Sequence, residues 1–222
     1  MTKAERRAAQ QAARATALAE RLESLLPLHS NERVLDVGCG AGALAFAVAP
    51  GAREVVAIDS DAAMVEIARA HAPSNVRVEL GDGERLPFED GEFDVAATLR
   101  TLHHTPHPGR LVTELVRVTK PGGMLLVVDQ LAPVDENEAR ALNEFERARD
   151  ASTSRVLPEH ELRELFAQLG LTVARAEVDR EPRDLAAYLD LAGCEGADRD
   201  RVARLAPPAY EATLGWFVLL RP

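Results

Sequence analysis

The 222-residue sequence predicts an α/β fold built on a mainly parallel β-sheet. Three observations carry that expectation. Short apolar runs alternate with amphipathic stretches between residues 34 and 129, the pattern of βαβ units whose strands are buried on both faces. The first run ends in a glycine turn, Gly38-Cys39-Gly40-Ala41-Gly42, that opens a helix-forming stretch. The second run is followed by Asp59, 21 residues after Gly38, about where a nucleotide-binding unit carries its acidic residue.

Each element has its own justification. Residues 3–26 are predicted as a helix, because Ala15, Leu18, Ala19, Leu22, Leu25 and Leu26 keep the spacing of one helical face, and Pro27 stops it. That face is largely alanine, which suits a docked surface helix or a flap over a ligand. Strands follow at 34–37, 54–58, 76–80 and 93–98, with a helix at 61–71. Asp61 is the better-placed cap for that helix. A helix over 108–119 is separated from the strand 124–129 by Lys120-Pro121-Gly122-Gly123. The helix 158–169 carries Leu162, Leu165, Phe166 and Leu169 on one face and stops at Gly170. Residues 171–178 alternate as a strand exposed on one face, and 213–220 form a last strand too apolar for a tail. Residues 135–155 and 181–211 are charged, helix-rich insertions placed to cap a site. Neither an internal repeat nor a linker between independent domains is evident.

Composition narrows the function. Hydrophobic residues make up 46% of the chain and charged residues 28%, which argues against disorder. The two cysteines, Cys39 and Cys194, cannot build a disulfide framework. No run approaches the ~18 apolar residues of a membrane span, and residues 1–20 lack the apolar core of a secretory signal; a cytoplasmic protein is expected. The net charge is −10, and because residues 1–30 are net +2, the rest of the chain carries −12. An acidic body argues against a sequence-independent nucleic-acid binder, which must neutralise phosphates.

Gly38 to Ala43 fits the loose G-x-G-x-x-G/A dinucleotide fingerprint, in which glycines let the backbone approach a ligand. Asp59 is placed to accept both ribose hydroxyls. Gly81-Asp82-Gly83-Glu84, after the third strand, offers a carboxylate for an exocyclic adenine amine, or is a plain turn. Arg100-Thr101-Leu102-His103-His104-Thr105-Pro106-His107 holds three histidines in five residues. No partner motif for a metal stands nearby, so no metal site is expected. His104, with His103 as the fallback, is the candidate to orient a substrate or take its proton; the alternative is a hydrogen-bonded structural histidine. Only one of the pair is expected to point inward.

In order, DVGCGAG, VAIDSD, GDGERLPFEDGEFDVAATLRTLHH and LVRVTKPGGMLLVVD resemble the consecutive motifs of class I S-adenosylmethionine (SAM) methyltransferases. The subgroup most resembled includes the quinone-biosynthesis C-methyltransferases and many small-molecule methyltransferases. The resemblance is tight over residues 30–130 and looser through LRELFAQLGLTV to GWFVLL. Ala41 departs from it, standing where the family commonly has Thr. The resemblance implies a Rossmann-like sheet of seven strands, mostly parallel, with helices on both faces. Residues 213–220 would insert antiparallel between 124–129 and 171–178. It implies residues 1–30 as an N-terminal helical cap and 31–222 as the SAM-binding domain, with cap insertions at 135–155 and 181–211. The cofactor would be SAM and its product S-adenosylhomocysteine (SAH).

Residue by residue, the resemblance places Asp36, Gly38 and Gly40 around the methionine part of SAM. It gives Asp59 the ribose, sets Ser60 and Met64 beside the adenosine, and gives Asp82 and Gly83 the adenine. Arg100 would line the methyl end. The run 143–155 resembles a family segment like Asp-Pro-Ser-His-Val-Arg, with Ala151 in place of the Pro and Thr153 in place of the His. Arg147, Asp150 and Thr153 are therefore substrate-side candidates, the alternative being a solvated helix with i, i+4 charge pairs. The expected activity is methyl transfer to a small-molecule acceptor through O, C or N. Two other readings stay open. One is an NAD(P)-binding oxidoreductase, although no Tyr-x-x-x-Lys pair exists. The other is a non-catalytic SAM-binding protein. The oligomeric state is open, a homodimer included.

Overall fold

The short apolar runs become the middle of the sheet. A computed structural model describes residues 2–13, 15–207 and 210–222. Met1, Arg14 (in the predicted helix 3–26) and Pro208 and Ala209 (in the insertion 181–211) lie outside the described residues. Five strands, β1 (Arg33–Val37), β2 (Glu54–Asp59), β3 (Val76–Leu80), β4 (Phe93–Leu99) and β5 (Thr119–Ala132), pair in parallel. A two-residue strand, β6 (Leu157–Pro158), adds to the end of β5 through Leu131 and Ala132. The sheet closes with β7 (Thr172–Pro182) and β8 (Glu211–Leu220), in the order β3-β2-β1-β4-β5-β8-β7. β8 is antiparallel to both β5 and β7, the inserted, reversed last strand expected above. Its position explains its sequence: flanked on both sides, it buries Leu214 and Trp216 to Leu219. β7, at the edge, instead alternates charges such as Arg175, Glu177 and Asp179, which discourage further pairing.

Within strands, neighbours point to opposite faces. Val34, Val55 and Val95 enter one core with the helices α2 (Ala15–Leu25), α3 (Ala43–Val48) and α4 (Ala62–His71). Leu35, Val56 and Phe93 enter the other with α5 (Pro108–Val118) and α7 (Glu159–Gln168). Helices therefore cover both faces. A third cluster joins α6 (Glu136–Arg149), α8 (Leu185–Ala192) and α9 (Gly196–Ala203) through Phe145, Tyr188, Leu189, Val202 and Tyr210. Both cysteines are free and buried.

One local expectation changes. Lys120 to Gly123 do not separate α5 from a strand starting at Met124; they belong to β5. Phe93 pairs with Thr119 and Val95 with Met124, so the four residues form a bulge inside the strand. The described residues from Lys3 to Leu25 are helical, as expected, and carry the labels α1 (Lys3–Ala13) and α2. α2 buries Leu22 and Leu25, whereas α1 buries no side chain fully. Among the described residues no helix is long and apolar enough to cross a membrane.

Candidate active site

The C-terminal ends of β1, β2, β3 and β4 surround a cleft of about 150 Å³, lined by Gly38, Asp59, Ser60, Asp82, Gly83, Thr101 and His104 among others. Open α/β sheets place ligands at this end of their strands. The Gly38 and Cys39 N–H groups donate to the Ile58 carbonyl at 2.8 and 3.1 Å, which folds the glycine turn against β2.

Asp59 organises the cleft floor. Its Oδ2 accepts from the Gly40 N–H at 2.7 Å and its Oδ1 from the Asp61 N–H at 2.8 Å. Each carboxylate oxygen keeps acceptor capacity. Asp61 caps α4, accepting from Ala63 and Met64 N–H groups at 2.9 and 3.4 Å. Met64 is buried, with its Cε close to Gly40, while Ser60 is exposed in the cleft. Asp82 is exposed and accepts from the Glu84 N–H at 2.9 Å. Gly83 has to be small, since a Cβ there would stand 2.7 Å from Val37.

Asp36 does not line the cleft. It is fully buried, and its Oδ2 accepts from the Ala45 N–H at 3.0 Å, tying β1 to α3. Its Oδ1 has no partner among the described residues. Burial, with the nearby Asp59 charge, pushes its carboxyl up to about 7. Arg100 is also turned elsewhere: its guanidinium donates to Glu181 on β7 at 2.8 Å, and its φ is 57°. Arg147 is exposed on α6 and reaches the Ser154 carbonyl at 3.3 Å. Thr153 is buried, away from the cleft lining.

The histidine pair divides. His104 lines the cleft, and its Nδ1 lies 3.1 Å from Ser152 Oγ. Burial, then the neighbouring His103, brings its pKa down to about 4. His103 is buried, its ring tilted against that of His104 at 4.1 Å between ring centres. Its Nδ1 and its backbone N–H both engage Asp129, at 2.5 and 2.8 Å. Asp150 is buried and holds Ser152 Oγ at 2.7 Å and Lys3 Nζ at 2.7 Å; Arg7 also pairs with it. From the same helix as Lys3 and Arg7, Gln11 Oε1 accepts from the Ala41 N–H at 3.0 Å. No group of three or more metal-ligating side chains exists among the described residues.

Gln11, Asp129 and Ser152 were not singled out from sequence. Asp129 carries a usable signal, as a carboxylate at the C-terminal end of an apolar strand. So does α1, because Lys3, Arg7 and Gln11 repeat every four residues and share a helical face.

A family model described as a methyltransferase domain matches residues 35–127. The uncharacterized methyltransferase YcgJ of Bacillus subtilis is 38% identical over 127 residues, 55% of this chain and 50% of that protein. The chain belongs to the SAM-dependent methyltransferase family. Membership sets the oxidoreductase reading aside. The 27-O-demethylrifamycin SV methyltransferase of Amycolatopsis mediterranei is 34% identical over 123 residues, 52% of this chain and 45% of that enzyme. This chain thus spans half or less of both curated relatives. A solved structure of a provisionally assigned methyltransferase from Bacillus halodurans C-125 superposes with a TM-score of 0.87 at 25% identity, covering 93% of this chain and 99% of that one.

Proposed function

We propose that this chain transfers the methyl group of SAM to a small organic acceptor, with SAM lying along the cleft from the glycine turn to the Gly81–Gly83 turn. The observation that carries the reading is Asp59. It is a carboxylate at the cleft, already oriented by two backbone N–H groups, with lone pairs left for a ribose diol. The glycine-walled turn at 81–83 fits a ligand held close to backbone. Small acceptors fit the reading of residues 1–30 and the insertions 135–155 and 181–211 as a cap, which Lys3, Arg7 and Gln11 support by reaching Asp150 and the glycine turn beside the cleft. The name of the Amycolatopsis relative also points to a small metabolite.

Bound SAM supplies a sulfonium-activated methyl carbon: the acceptor lone pair forms the new bond as the carbon–sulfur pair returns to sulfur. The chain's own task is to hold the acceptor in line and exclude water, an effect that can reach ~7–11 kcal/mol. His104 takes the acceptor proton and passes it to solvent. With its pKa near 4, its ring is neutral at pH 7 and free to accept. Such a weak base suits a proton that becomes strongly acidic only as the new bond forms. Asp59→Ala is expected to weaken SAH binding by roughly 1.5–3 kcal/mol, the scale of hydrogen bonds to a charged group, measured by titration calorimetry. Unchanged affinity would remove Asp59 from the site. Incubation with isotope-labelled SAM and metabolite extracts, followed by mass spectrometry, identifies the acceptor.

A further inference from the structure

We propose that Ser152 and Asp150 are positioning residues that hold His104 as its Nδ1–H tautomer and leave Nε2 as the proton-accepting nitrogen. This deepens, and rests on, the reading that an acceptor is methylated in this cleft. The argument is one of donors and acceptors. Asp150 is 1% exposed. Although burial opposes it, Lys3, Ser152 and Arg7 hold its carboxyl well below the usual carboxylate range. It is therefore ionised and can only accept. Ser152 Oγ, 2.7 Å from Asp150 Oδ1, must give its single proton to that carboxylate. Toward His104 Nδ1, at 3.1 Å, the same oxygen is left to accept. Nδ1 must then carry the hydrogen, and a neutral imidazole has only one. The lone pair falls to Nε2.

His104 stays neutral on balance: burial, then His103, tilted against it at 41°, and Arg7 disfavour the imidazolium and outweigh the Ser152 backbone hydrogen bond and the Asp150 charge, which favour it. His103 cannot swing in to replace it, because Asp129 holds both its Nδ1 and its backbone N–H. The relay begins on α1. Lys3 and Arg7 complete Asp150, while Gln11, one turn further on the same face, holds the glycine turn through Ala41. One helix therefore touches both the cofactor turn and the relay that orients the base.

The test is the ring-nitrogen signature of His104. Histidine-¹⁵N-labelled protein, saturated with SAH at pH 7, is observed by long-range ¹H–¹⁵N correlation, with His104→Gln identifying the signals by their loss. In the wild type, Nδ1 is expected at a protonated-type shift and Nε2 at an unprotonated-type shift. Ser152 is exposed, so Ser152→Ala should fold, and it is expected to move His104 to the Nε2–H form that free histidine prefers. Ser152→Thr, which keeps the hydroxyl, is expected to retain the Nδ1–H form. An Nε2–H tautomer in the wild type, or no change in Ser152→Ala, overturns the proposal. SAH titration of the same samples reads the cofactor site separately, so failure to bind SAH would count against the methyl-transfer reading while the tautomer remained readable.

Discussion

Gly38→Ala is expected to abolish SAH binding and to lower the melting temperature by on the order of 10 °C. Two costs add. Gly38 has φ 75°, in the left-handed region, where a residue with a Cβ loses roughly 1–2 kcal/mol. The new Cβ would also stand 2.2 Å from both Cγ2 and Oγ1 of Thr101. Thr101 cannot easily yield, since it is short and branched and its hydroxyl lies 3.2 Å from the carbonyls of Gly38 and Leu99. Overpacking of this kind costs about 1–3 kcal/mol. Because the backbone that would move is the turn joining β1 to the cleft, binding should fail before folding does. Calorimetry with SAH and thermal unfolding separate the two effects. Thr101→Ala in the same chain removes both closest atoms but not the φ penalty, so it should restore part of the stability. A double variant no more stable than Gly38→Ala alone would show that the steric account is wrong.

The parallel half of the sheet is legible because strands buried on both faces must be written as unbroken apolar runs. Gly38, Asp59 and Asp82 stand at the ends of those runs, so the same signal that locates a strand locates the cleft. β6 is not legible: Leu157 and Pro158 are too few to show a period, and they pair only because β5 extends past its neighbours. The bulge at Lys120–Gly123 reads as a turn because Pro and Gly punctuate locally. Its return to the same strand depends on Phe93 and Val95, which are distant in sequence. Arg100 illustrates the same limit. Its place after β4 is readable, but its partner Glu181 lies 81 residues further on. Asp36 is legible as an acid in the glycine motif, yet its burial depends on α3 closing over it.

Asp150 shows what the cap conceals. In sequence it is one charge in a run of charges on and beyond α6, where a solvated surface is the economical reading. The structure buries it because two segments converge on it: α1 brings Lys3 and Arg7, and the loop after α6 turns back to bring Ser152. Nothing local encodes that convergence, although the four-residue spacing of Lys3, Arg7 and Gln11 hints at a helix with a polar docking face.

Glu146→Ala is expected to destabilise the cap by about 3–5 kcal/mol, the usual cost of removing one partner from a buried ion pair. Glu146 is 2% exposed: Tyr188 Oη, Gln130 Nε2 and Arg149 Nε each lie 3.0 Å from its carboxylate, and Tyr210 Oη also donates to it. These groups come from α8, β5, α6 and the segment before β8, so one carboxylate ties the cap to the sheet. Without it Arg149, 9% exposed, keeps its charge over the Tyr188 ring. The dependence on pH has a definite sign. Burial raises the Glu146 pKa, but the Arg149 charge and the bonds from Tyr210 and Gln130 outweigh it, and the net shift is downward. A carboxylate with a depressed folded-state pKa stabilises fully above its unfolded value of ~4.3 and loses that contribution as pH falls through the folded value. The difference between wild type and Glu146→Ala in urea unfolding should therefore be largest near pH 7 and shrink in strong acid. Hydrogen exchange is expected to show α8 and α9 opening first in the variant, because Tyr188 anchors them through Glu146. A pH-independent difference, or exchange raised equally throughout the sheet, would mean that the carboxylate does not act as the tie. The loop carrying Asp150 and Ser152 begins one turn beyond Glu146, so loosening this tie should also release His104 from the Nδ1–H tautomer proposed above.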